Sequence, residues 1–113
     1  MLAKANRLAS GSDYKATVRR GKRVIGKNTV TYIRTDVVDT PARFGFIVAK
    51  NVGGAVVRNR IRRRLKAASF TQVSGIGPGA SIVIRALPSS TGATFSVLAG
   101  EVADAVGTVR TRR

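Results

Sequence analysis

Apolar and polar positions along the chain alternate with two periods, and their succession predicts a helix, a set of strands, a second helix, a strand and a last helix. Ser10 or Ser12 can cap the first helix, with Asp13 in its first turn and Gly21 stopping it after Arg19-Arg20. Tyr14 and Val18 share a face of that helix, and Val18 reads as a packing residue. Arg20-Gly21-Lys22-Arg23 reads as a basic turn. Residues 28–35 are rich in β-branched side chains and predict a strand, with Val30, Tyr32 and Arg34 on one face and Thr31 and Ile33 on the other. After a turn-rich link over 36–42, residues 43–49 are apolar on both faces. Phe44, Phe46 and Val48 lie on one and Gly45, Ile47 and Ala49 on the other, which predicts a central strand.

Gly53-Gly54 permits a tight turn into a helix starting at Ala55. Val57, Ile61, Leu65 and Ala68 form its apolar stripe. Gly75, Gly77, Pro78 and Gly79 mark residues 71–79 as a loop before a strand over 80–86. Thr94 can cap the last helix, whose expected buried face is Phe95, Leu98, Val102, Ala105 and Val106. Residues 1–9 and 108–113 read as flexible basic tails. The order describes one α+β domain over 1–113, a two-layer sandwich of helices on a sheet. The strands flanking the middle helix must be parallel if they are sheet neighbours.

The middle helix changes the picture because of its charge. Residues 58–66 carry six basic side chains and no acid, so no ion pair within the helix relieves their repulsion. Asn59, Arg62, Arg63 and Lys66 lie opposite the apolar stripe, and Arg58 and Arg60 flank it. Arg64 adjoins the stripe and must lay its stem along the core. Cations in the first turns also oppose the helix dipole. A polyanionic partner removes this repulsion, and phosphate is the commonest one. The whole chain agrees: 113 residues carry 21 basic and 5 acidic side chains, a formal net charge of +16. Tyr32 beside Arg34 on a strand face suits stacking on an unpaired base, in a chain only 5% aromatic.

Composition also excludes. With neither cysteine nor histidine, the chain has no thiolate metal site, no disulfide and none of the usual nucleophile–base pairs. Its acids, Asp13, Asp36, Asp39, Glu101 and Asp104, are scattered over three segments, whereas two-metal phosphodiester hydrolysis needs clustered carboxylates. The double glycine is not part of a nucleotide-binding loop. No apolar run approaches the roughly 20 residues of a membrane span, and the start lacks a signal-peptide core, which predicts a cytoplasmic protein with no membrane partner. The classes left open are ribosomal-type RNA-binding proteins and, behind them, sequence-independent DNA-binding proteins, with an autonomous nuclease last.

The stretch Arg43-Phe44-Gly45-Phe46-Ile47-Val48-Ala49-Lys50, then Gly53 and Ala55-Val56-Val57-Arg58-Asn59-Arg60-Ile61-Arg62-Arg63, resembles the signature of the bacterial ribonuclease P protein subunit. The fixed Arg-Asn-Arg after a glycine-containing entry is more specific than basic composition. The Asp13-Tyr14 helix, the aromatic strand and the late Ile-Val-Ile-Arg-Ala strand follow in the family's order. The resemblance implies the order α-β-β-β-α-β-α with a left-handed βαβ crossover, against the usual rule. It implies a holoenzyme whose RNA removes the 5′ leader of precursor tRNA, aided by Mg2+ held mainly by RNA. Carried over by position, Lys50, Gly53, Arg58, Asn59, Arg60, Arg62 and Arg63, with Lys66 on the same face, would bind the RNA subunit. Tyr14 and Tyr32, with Arg34 beside them, would line the cleft for the single-stranded leader. Val18 stands where many relatives carry a second aromatic, and Gly54 where asparagine is frequent.

Overall fold

The strand that resists prediction from the pattern is the first. The computed structural model describes residues 2–108; of the tail expected at 108–113, residues 109–113 lie outside them. In chain order it contains α1 (Gly11–Arg20), β1 (Lys22–Ile25), β2 (Thr29–Thr35), β3 (Arg43–Ile47), α2 (Ala55–Phe70), β4 (Ala80–Ala86) and α3 (Phe95–Gly107). β1 is built from residues whose charge suggests a turn. It pairs antiparallel with β2 at the sheet edge, Arg23 opposite Tyr32, where exposed lysine and arginine also discourage pairing with a further strand. The order α-β-β-β-α-β-α is therefore the one that the family resemblance implies.

The sheet order is β1-β2-β4-β3, with β4 antiparallel to β2 and parallel to β3. β3 is thus an edge strand, not the expected central one. β4 holds the inner position, and its Ile82, Val83 and Ile84 are fully buried. β3 is apolar on both faces for another reason: helices cover both sides of it. Its free edge is closed by the N-terminal segment. Leu8 donates its backbone N–H to the Phe44 carbonyl at 2.8 Å, and the Asn6 side-chain amide donates to the Ala42 carbonyl at 2.8 Å. Leu2 and Leu8 are buried, so this part of residues 1–9 is packed structure instead of a loose tail.

Alternation along the strands sorts the core into two parts. Ile33, Phe44, Ile82 and Ile84 face α2 and α3, meeting Ile61, Leu65, Ala68, Val102 and Val106. This is the main two-layer sandwich. On the opposite face Val30, Tyr32 and Val83 meet Leu8 and, from α1, Tyr14 and Val18. Ser10 caps α1 by accepting from the Ser12 N–H, and Thr94 caps α3 by accepting from the Val97 N–H at 3.2 Å. Phe95 departs from its expected burial: it sits in the first turn of α3 and is 44% exposed. The turn over Pro88–Gly92 and the whole of α3 contain no lysine or arginine.

One acid holds the β1–β2 hairpin to α3. The Glu101 carboxylate accepts from the Asn28 backbone N–H at 3.1 Å, the Asn28 side-chain amide at 2.6 Å and the Thr29 hydroxyl at 2.9 Å. Hydrogen bonds to an ionised group contribute more than neutral ones. Glu101→Gln is expected to lower unfolding free energy by about 1.5 to 3 kcal/mol, read from urea denaturation; an unchanged midpoint would show that the hairpin holds itself.

Candidate nucleic-acid interface

The basic face of α2 is held out by its apolar stripe. Ile61 and Leu65 are fully buried and Val57 is half-buried, while Asn59 and Arg63 are exposed and Arg58, Arg60, Arg62 and Arg64 are half-buried along the flanks. The short helical turn Lys50–Val52 leads into the helix, with Val52 anchored in the core and Lys50 exposed. Gly54 at the N-cap offers no side-chain cap, so the first amides of α2 face solvent or an anion.

The arginines of α2 divide by what they touch. Arg64 lies along the core as its position requires, and its Nη1 donates to the Ala93 carbonyl at 3.0 Å, bracing α2 against the segment before α3. Arg58 donates through Nε to the Gly53 carbonyl at 3.0 Å, closing the turn at the helix entry. Arg62 donates to the Asn59 side-chain oxygen at 3.2 Å, fixing one guanidinium on the outer face. Arg60, Arg63 and Lys66 have no acidic partner. The two ion pairs among the described residues are Arg34–Asp36 and Arg43–Asp13, each at 3.4 Å and both away from α2.

Arg62 and Lys66 also border a groove along the edge of β3, opposite Arg7, Leu8 and Tyr14, with Phe44 and Phe46 beneath. Tyr14 is seated there by two features of β3. Its hydroxyl accepts the Phe46 backbone N–H at 3.2 Å, an edge donor that would otherwise lack a strand partner. Its ring lies directly on Gly45: a Cβ at that position would meet Tyr14 ring and hydroxyl atoms at 2.5 to 2.6 Å. The glycine of the Arg43-Phe44-Gly45 motif is therefore the seat of the groove's aromatic wall.

The three proposed cleft residues have different surroundings. Tyr14 is half-buried and lines the groove. Tyr32 is 6% exposed and packs with Leu8, Val30 and Val83, while the exposed Arg85 guanidinium lies over its ring at 5.9 Å from the centroid. Tyr32 thus supports the cluster on which Tyr14 rests and offers little open ring face for stacking. Arg34 is engaged with Asp36. The residues that pattern reading missed are Arg7, Phe46 and Arg85. Only Arg85 carried a signal, as the single charge in an apolar strand; Arg7 reaches the groove through a tertiary bridge to Phe44.

The acids of the described residues are dispersed. Asp13 and Asp36 face arginines, Glu101 holds the hairpin, and no three acidic side chains come together among the described residues. The surface can neutralise phosphates, stack a base and orient a strand.

Known proteins resemble this chain in sequence and in fold. A family model described as Ribonuclease P matches residues 2–110. The chain is 47% identical over 106 residues to the ribonuclease P protein component of Clavibacter michiganensis, covering 94% of each protein. It is 48% identical over 102 residues to that of Acidothermus cellulolyticus, covering 89% of this chain and 85% of the relative. The fold matches the Staphylococcus aureus RNase P protein with a TM-score of 0.82 at 24% identity, over 96% of this chain and 100% of that one. It matches the Thermotoga maritima protein with a TM-score of 0.80 at 19% identity, over 93% and 98% of the two chains.

The unpaired cations of α2 carry a direct test. Changing Arg60 and Arg63 together to glutamine is expected to weaken RNA binding and reduce the slope of log affinity against log salt by about 0.7 to 0.9 per lost phosphate contact. The melting temperature should hold or rise as repulsion is relieved. An unchanged slope would remove this face from the interface.

Proposed function

The chain belongs to the ribonuclease P protein family, and from that premise we propose how its surface divides the work of a holoenzyme that trims precursor tRNA. Lys50, Gly53, Arg58, Asn59, Arg60, Arg62, Arg63 and Lys66 engage the RNA subunit. Of these, Arg60, Arg63 and Lys66 act through charge. Arg58 and Arg64 hold the helix in place, so their contribution is partly structural. The groove along β3 takes the single-stranded 5′ leader, with Tyr14 as its stacking wall and Arg7, Arg62 and Lys66 beside the backbone.

The observation that carries this reading is the convergence of the basic helix and an aromatic wall in one groove. A ribosomal-type role needs the charge but gives no reason for Tyr14 to be seated on Gly45 beside Arg62 and Lys66. The RNA carries the chemistry. For the Mg2+ that the family implies, no three acidic side chains come together among the described residues: Asp13 and Asp36 face arginines and Glu101 is engaged by the hairpin. The ions then belong to RNA phosphates, and the protein assists by adding positive charge and hydrogen bonds around the bound strand.

Adding the chain to a bacterial ribonuclease P RNA at low magnesium should raise the rate of precursor-tRNA cleavage. No rise, with a folded protein, would overturn the assignment of this role.

Within the reconstituted holoenzyme, Tyr14→Ala should weaken precursor-tRNA binding by about 1 to 3 kcal/mol, the usual worth of a base stack, and leave mature tRNA nearly unaffected. Tyr32→Ala should instead lower the melting temperature and affect both RNAs alike, because its ring is buried in the cluster beneath. Equal losses on both RNAs for Tyr14→Ala would remove it from the leader path.

A further inference from the structure

Beyond the leader groove, α2 carries a second concavity at its C-terminal end. It encloses about 250 Å³ and is lined by Leu2, Ala67 and Phe70, with Arg7, Arg63 and Lys66 around them. Phe70 is 52% exposed, although the chain has only four phenylalanines. An aromatic left open to water at a helix end is poorly used for folding alone. Its surroundings contain three cations and no acid.

We propose that this concavity receives one unstacked nucleotide of the RNA bound along α2, with the base against Phe70 and the phosphate among Arg7, Arg63 and Lys66. The proposal rests on the RNA-binding reading of α2 and adds a base-sized site to it. Charge complementarity selects a polyanion, and the apolar lining selects the part of a polyanion that has a ring face. The volume lies below the roughly 300 to 1,000 Å³ of pockets for drug-sized ligands, which suits a single ring system with its sugar. Continuity supports the same occupant: Arg7 and Lys66 line both this concavity and the groove that Tyr14 walls. A strand leaving one can enter the other without crossing an uncharged gap.

A duplex keeps its bases stacked and cannot use such a site, so single strands and duplexes separate under mutation. The full chain has no tryptophan, and Phe70→Trp places one reporter at the proposed contact. A short oligouridylate should quench its fluorescence, and a blunt RNA duplex of equal charge should not. Phe70→Ala should weaken oligouridylate binding about 5- to 150-fold with the salt slope unchanged, since no cation is lost, and leave duplex binding as it was. Phe70→Leu retains apolar volume without the aromatic face and should show the same selective loss, which guards against a folding defect in the alanine variant. Undiminished oligouridylate affinity, or equal losses on strand and duplex in folded variants, would overturn the proposal. A blue shift of the tryptophan with anionic vesicles and none with oligouridylate would overturn it as well. The wider reading fails separately, when the unaltered chain does not stimulate precursor-tRNA cleavage.

Discussion

Ile61 and Leu65 sit fully buried beneath α2, against β3 and β4, and on that contact the usefulness of the molecule depends. Each buried aliphatic side chain contributes about 1.5 to 3 kcal/mol. Each like-charge pair at helical spacing costs only about 0.2 to 0.5 kcal/mol. The apolar stripe therefore outweighs the repulsion among the six cations of residues 58–66, and the helix can hold them in register with nothing bound. Arg64 strengthens the arrangement by crossing to the Ala93 carbonyl.

The groove beside α2 depends on the edge of the sheet. In an ordinary edge strand, free N–H and C=O groups face water or another strand. Here the Phe44 carbonyl is taken by the Leu8 N–H and the Phe46 N–H by the Tyr14 hydroxyl. The closure brings Arg7 and Tyr14 opposite Arg62 and Lys66. Residues far apart in the chain become the two banks of one channel, and Gly45 leaves room for its aromatic wall.

Much of this was legible in the sequence where a long periodic pattern meets a clear boundary. β4 and α2 begin where expected, Thr94 caps α3, and the need for Arg64 to run along the core follows from its place beside the stripe. What was not legible depended on tertiary cover. β3 is apolar on both faces, which suits a central strand and equally an edge strand covered by helices and the N-terminal segment. β1 is short and charged, so pairing rather than pattern makes it a strand. For Tyr32, alternation gives the correct face but not the depth, and depth decides between stacking and support. Tyr14 was placed on a helix face from its spacing, yet its seat on Gly45 required the fold.

The stretch from Pro88 through α3, without a single lysine or arginine, has a consequence for how the molecule meets its partner. Glu101 and Asp104 lie there, while α2 carries its cations without acidic neighbours. The resulting field has a direction as well as a magnitude, so an approaching polyanion exerts a torque as well as an attraction. Approach is biased away from α3 and toward the cation-bearing surfaces, α2 among them, and fewer collisions are spent against the acidic stretch. In dilute salt this raises the association rate; in concentrated salt, where the Debye length shrinks, the molecule arrives without a preferred heading.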